Sequence, residues 1–295
     1  MNRTYKALPH LVFFALAASI LSPSMIPIEN KWIFFGAVVL IEAALIAYRR
    51  SKSANDIAFA VFLLLFVWEF MSTKTNKTNT MLVPVPERVF AVFQSDWLRI
   101  LRGIFSSLGL LFTAMGIALF LAVSLGMVVG WFERLRKSVL PVAKVISPIP
   151  PIVYTPYAVA LLPSFRIASI FVIFNSMFWP VFINMIISVS TVDRRIMDSA
   201  KTLNTRSAAM FLNVLFPYCL PRIITGMNVT LSTSFMVLTA AELIGATSGL
   251  GWYVKYNSDF ANYTKVVAGI IVIGVVVTAL NKLLLTLEKV LIKWK

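Results

Sequence analysis

Cysteine and histidine are almost missing from this 295-residue chain, which has one of each, Cys219 and His10. One cysteine excludes an internal disulfide and any cysteine-based metal cluster. One histidine excludes a histidine-rich metal site. No G-x-x-x-x-G-K-[ST] run occurs, so the chain has no P-loop with which to hydrolyse ATP. No His/Asp/Ser constellation or metal-ligand spacing supports a membrane-embedded enzyme. Acidic residues are scarce too, 12 against 27 Lys and Arg, for a net charge of +15. Neither a repeat of about 20–50 residues nor a low-complexity tract is visible.

Apolar residues are what the chain has in abundance. They make up 59% of it, and the mean hydropathy is +0.85. Soluble domains sit at about 45–50% apolar. The sequence divides into apolar runs close to the roughly 20 residues that cross a bilayer. The positive charge sits mostly in short loops between these runs, as in a membrane protein, and no basic face with interleaved aromatics points to nucleic acid.

Eight runs are expected to span, at residues 8–26, 31–48, 57–70, 106–131, 140–162, 167–189, 218–244 and 265–285. The first has a basic lead and a short apolar centre like a signal peptide, but no clear small-x-small cleavage site follows, which favours a retained span. About twice as many Lys and Arg fall on the proposed inner side as on the outer, which puts both termini in the cytoplasm. Residues 72–102 form a polar outer segment, with Pro84 and Pro86 resisting helix and residues 88–102 suited to an amphipathic surface helix. Gly126 and Gly130 make a G-x-x-x-G face for close packing against another helix. Pro148, Pro150 and Pro151 interrupt the fifth span and free backbone carbonyls at membrane depth. Glu42, inside the second span, has to pair or face protein. Lys144 and Arg166 read as side chains snorkelling to the interface, although either would help to guide an anion.

Between the sixth and seventh spans lies a segment too polar for lipid. It carries Asp198-Ser199-Ala200, then Asn204, then nine residues, then Val214-Leu215-Phe216-Pro217. Its pattern is two short helices, the first capped by Asp193 or Thr191 and the second by Thr205. Asn204 suits the left-handed end of the first helix. Small residues at Ser199 and Ala200 allow a partner groove close to the backbone. The spacing resembles the "EAA" signature of bacterial ABC-importer membrane subunits, with Asp198, Ser199, Asn204, Val214 and Phe216 in place of the consensus residues. Ala241-Glu242 followed by Ser248-Gly249-Leu250-Gly251, and the upstream Ser147-Pro148-Ile149-Pro150-Pro151, resemble the nitrate/sulfonate/taurine-type permeases. The resemblance covers about residue 83 to the C-terminus.

The resemblance implies an all-α polytopic membrane protein of about eight helices. A type I ABC-importer permease core would occupy residues 83–295, with coupling segment 191–217, and residues 1–82 would be N-terminal spans outside it. The chain would be a non-enzymatic permease subunit in the bacterial inner membrane, without its own cofactor. ATP and Mg would sit on separate cytoplasmic ABC ATPase subunits that dock through Asp198, Ser199, Ala200, Leu203, Asn204, Arg206 and Pro217. The further implied partners are a second copy, membrane lipid and an extracellular or periplasmic solute-binding protein. The solute would be a small anion of the nitrate, sulfonate or taurine class, or a small heterocyclic vitamin precursor. The competing class is a secondary transporter or channel without an ATPase. Such proteins usually carry several intramembrane ionisable groups or symmetric broken helices, and here few are visible.

In the seventh span, Thr225, Asn228, Ser232, Thr239 and Glu242 fall on one face at about 100° per residue, with Phe235 beside them as a constriction. The stripe reads as a translocation path, against interhelical hydrogen bonding alone. For Glu242 two readings stand: the outer end of that path, or a clasp on the glycine-rich turn 245–251.

Overall fold

The computed structural model describes residues 3–24, 31–47, 52–75, 81–202 and 209–291. All regular structure among the described residues is helical. In chain order the helices are α1 (Arg3–Leu21), α2 (Lys31–Ala47), α3 (Lys52–Thr73), α4 (Pro86–Ser95), α5 (Trp97–Trp131), α6 (Glu133–Ile146), α7 (Pro151–Leu161), α8 (Phe165–Ser190) and α9 (Arg194–Thr202). A π-helical turn (Met210–Leu215) then leads into α10 (Phe216–Gly245), followed by α11 (Leu250–Asp259) and α12 (Tyr263–Leu291).

Among the described residues, each of the eight expected apolar runs is mostly helical. Five helices among the described residues are long and apolar enough to cross a bilayer: Ala54–Thr73, Trp97–Trp131, Phe165–Ser190, Met210–Gly245 and Tyr263–Val290. The fifth expected span is broken: α6 and α7 meet at 89°. Pro150 precedes the break's second arm and Pro151 opens it. Neither ring can donate to a helical ladder, which is why the proline cluster forces the turn. The apolar part of α1, Leu8–Leu21, and the 17-residue α2 are shorter than a straight crossing needs. The expected surface helix over 88–102 is not one element. α4 ends at Ser95 with Asp96 as its cap, and α5 starts at Trp97 and runs 35 residues.

The chain forms two compact units. The first takes in Met1–Leu101 and Val254–Ile271. Its core is Leu16 and Ile20 of α1, Phe34 and Val38 of α2, and Phe62 and Leu65 of α3. Phe90 of α4 packs against Phe34 with centroids 4.9 Å apart and the rings tilted by 50°. Glu42, expected to pair, does so with His10 Nδ1. The Trp68 indole donates to Pro84 O at 3.0 Å, and Lys74 Nζ donates to Ser22 O and Pro23 O at 3.1 and 2.9 Å. Lys265 and Asp96 form an ion pair at 2.8 Å.

Two buried carboxyls of this unit meet. Glu69 and Glu87 are each 1% exposed. Thr73 Oγ1 donates to Glu69 Oε1 at 2.9 Å, while Glu69 Oε2 and both Glu87 oxygens have no other donor. Two carboxylates this close do not both ionise, and one shared proton links Glu69 Oε2 to one Glu87 oxygen. Burial, then the Glu69 charge, push the Glu87 carboxyl up to about 7.

The second unit takes in Arg102–Tyr253 and Val272–Lys295. Its centre is α8, which buries residues along its length from Ala168 to Val189. α10 packs along it, tied at mid-span by Ser176 Oγ and Ser234 Oγ 2.8 Å apart. α5 packs on α8 through its two glycines. A Cβ on Gly126 would lie 2.7 Å from Met185 Cβ, and one on Gly130 2.8 Å from Val189 Cβ. The G-x-x-x-G face thus has α8 as its partner, at a distance only glycine allows.

Candidate coupling segment and polar helix face

The polar segment leaves α8 at Thr191 and re-enters apolar structure at Met210. Arg195 N donates to Asp193 Oδ1 at 2.9 Å, so Asp193 is the residue that caps α9. Thr191 instead returns its hydroxyl to Ile187 O at 2.9 Å. On α9, Asp198 and Ser199 are exposed and Ala200 is buried. Ser199 Oγ bonds to Arg195 O within the helix, leaving little side-chain bulk on the outer face. Leu203, Asn204, Arg206 and the expected cap Thr205 lie outside the described residues. Pro217 stands in the first turn of α10. Lacking an N–H, it cannot bond back to Asn213 as an α-helix would require. The chain takes the wider turn just before it, with Phe216 N bonding to Phe211 O. Arg222 Nη1 donates to Thr191 Oγ1 at 3.3 Å, fastening the start of α10 to the end of α8.

The polar face of α10 is spent within the chain. Thr225 Oγ1 donates to Glu288 Oε1 at 2.9 Å, and Asn228 Nδ2 donates to Glu288 Oε2 at 3.3 Å. Ser232 and Asn281 exchange hydrogen bonds at 3.0 and 3.2 Å. Thr239 Oγ1 bonds to Phe235 O, and Phe235 itself is 2% exposed. Glu242 is 1% exposed. It accepts from Ser107 Oγ at 2.6 Å and from Gly251 N at 2.7 Å, so the clasp reading describes its contacts. Ser107 Oγ accepts in turn from Leu250 N at 2.9 Å. The face of α10 left open carries Val229, Thr233 and Met236, with Val229 71% and Met236 65% exposed.

Three residues of this arrangement were missed in the sequence: Ser107, Asn281 and Glu288. Asn281 and Glu288 had a readable signal, since polar groups seven apart share one helix face. Ser107 had none, because a lone serine in an apolar run is common.

A bundle of long apolar helices with a polar elbow between its two most closely packed long spans is that of a polytopic membrane protein. The chain belongs to the family described as "Binding-protein-dependent transport system inner membrane component", whose model matches residues 118–294. It is therefore a multi-pass inner-membrane permease of the ABC-importer type. It is 25% identical over 246 residues to a nitrate import permease protein of Synechocystis, covering 80% of this chain and 88% of the relative. It is 32% identical over 186 residues to the taurine transport system permease protein of Escherichia coli, covering 62% and 68%. It is 27% identical over 175 residues to a putative aliphatic sulfonates transport permease of Bacillus subtilis, covering 59% and 63%.

Proposed function

We propose that this chain is the permease subunit of an ATP-driven importer for a small anion of the nitrate, taurine or sulfonate class. The solute class comes from the relatives' names. The observation that carries the mechanism is the order of the elements along the chain. Exposed α9 precedes a helix that runs unbroken from Met210, through the π-turn and Pro217, to Gly245. In this reading a push on α9 moves α10, the hinge-and-lever arrangement that switching transporters use.

In this reading the elbow faces the cytoplasm, both termini lie inside, and two ATPase subunits carrying ATP and Mg dock on Asp198–Asn204 of two paired copies. A binding protein delivers solute at the opposite end. In the pair, the open face of α10 with Val229, Thr233 and Met236 borders the path. The stripe from Thr225 to Glu242 works from behind, locking α10 to α12 and to the glycine turn. The core at 83–295 performs transport, and residues 1–82 are not part of it.

The test is association. Ser199→Trp places a large ring on the exposed face of α9 without touching the bundle. It is expected to leave the protein in the membrane while abolishing co-purification of the co-encoded ATPase, and Asn204→Pro is expected to do the same. Full retention of the ATPase by both variants would overturn the docking assignment.

A further inference from the structure

At the end of the second unit remote from α9, the first turns of α8, the loop after α10 and the early part of α5 enclose a pocket of about 480 Å³. It is more polar than another cavity of the same unit. The other, about 400 Å³ between α5 and α10, is lined almost wholly by apolar side chains such as Phe120, Phe216 and Met227. The polar residues that line the end pocket are Ser106, Ser164, Arg166, Thr247 and Ser248.

Three features of this pocket point the same way. Arg166 is exposed and makes no ion pair or hydrogen bond with any described residue. Snorkelling explains its exposure but not the hydroxyls gathered around it. Of those, Ser106 and Ser248 hold each other at 2.8 Å across two elements, and Ser164 caps α8 by accepting from Ile167 N at 3.3 Å. The pocket also contains no carboxylate: no lining residue is Asp or Glu. The nearest acid on these elements, Glu242, has its two oxygens committed to Ser107 Oγ and Gly251 N.

That clasp also sets the pocket's shape. Glu242 and Ser107 draw the Gly249–Gly251 turn onto α5, where Gly103 approaches Gly249 so closely that a Cβ would lie 3.3 Å from Gly249 O. Ser248 is held by that turn, facing Ser106. The pocket is thus formed before a ligand arrives, which spares the cost of ordering it.

We infer that this pocket binds an oxyanion group, with Arg166 supplying the charge and a planar two-donor fork, and the hydroxyl of Thr247 and the one O–H left free by the Ser106–Ser248 pair completing the shell. Its first candidate source is the nitrate or sulfonate group of the transported solute, as a receiving station at the delivery end. That choice of source rests on the importer reading above. The affinity for an oxyanion does not. The same chemistry would accept the phosphate of an anionic lipid headgroup.

Full-length chain in nanodiscs of phosphatidylcholine alone, with no ATPase and no binding protein, is titrated with radiolabelled taurine, and nitrate is used as a competitor. A second set of discs contains phosphatidylglycerol. Saturable, nitrate-displaceable taurine binding that falls about tenfold or more in Arg166→Gln, partly returns in Arg166→Lys, and stays unchanged in Arg134→Gln supports the site with solute as its source. Arg166-dependent retention of phosphatidylglycerol, without taurine or nitrate binding, supports the site with lipid as its source. Binding equal in wild type and Arg166→Gln, or no binding of either kind, overturns the site. The importer reading would still stand if the assembled complex continued to take up solute.

Discussion

Ser107 Oγ donates to Glu242 Oε1 at 2.6 Å, joining residues 135 positions apart on α5 and α10. Through the second oxygen, Gly251 N is brought into the same clasp at 2.7 Å. One buried carboxylate therefore fixes three elements: the end of α10, the glycine turn and α5. Gly249 takes φ +121° in that turn, a conformation that side chains rarely adopt, and a Cβ there would strike the Glu242 carboxylate.

Glu242→Ala leaves Ser107 Oγ and Gly251 N buried without their acceptor. Hydrogen bonds to charged groups contribute about 1.5–3 kcal/mol each, and about 2–4 °C of melting temperature is lost per kcal/mol in a unit of this size. Purified Glu242→Ala is expected to melt several degrees below wild type in detergent. Glu242→Gln falls between, because its amide keeps one acceptor and turns a second donor toward an existing one. Gly249→Ala is expected to match Glu242→Ala, since it adds backbone strain to the same clash. Wild-type melting in both Glu242→Ala and Gly249→Ala would show that the clasp contributes nothing.

Gly126→Ala is expected to destabilise by about 1–3 kcal/mol through overpacking. The new Cβ meets the Cβ of Met185, on backbone that cannot swing aside. Gly116→Ala, on the same helix with nothing within 4 Å, is the control and is expected to be neutral or slightly stabilising. Thermal unfolding of the two variants side by side checks this.

The Glu69–Glu87 pair makes unfolding pH-dependent. The folded Glu87 carboxyl titrates near 7, above its ordinary 4.5. Its proton is therefore held more tightly in the folded protein. The stability this gives is complete below about 4.5 and is lost as pH rises through 7. Lys74 opposes the shift, and Glu69 and burial drive it. One such group gives a slope of up to about 1.4 kcal/mol per pH unit. The melting temperature is expected to fall between pH 5 and 8, and Glu87→Gln is expected to flatten that fall. An unchanged slope in Glu87→Gln would remove the pair from the account.

Much of the fold was legible because it depends on residues that act locally. The break between α6 and α7 follows from Pro150 and Pro151 alone. The contact of α5 with α8 follows from two glycines four apart. The length of α5 was not legible, because Arg99 and Arg102 make its first turns look interfacial. The site was legible in part. The stripe on α10 was visible as a periodicity, but a periodicity does not say what faces it. Glu288 answers for Thr225 and Asn228, and its spacing from Asn281 marks a shared helix face without saying which helix that face meets. The pairing of Glu69 with Glu87 depends on chain reversal between α3 and α4, which no local pattern encodes.

The central claim is the proposal that α9 is a cytoplasmic docking surface preceding α10, and one labelling experiment tests it most directly. The chain's single cysteine, Cys219, is buried, so a Ser199→Cys variant carries the only reactive thiol. An impermeant maleimide is expected to label Ser199→Cys in inside-out vesicles and not in intact cells, and co-expressed ATPase is expected to protect it. Labelling from the outside of intact cells, or equal labelling with and without the ATPase, would contradict the account.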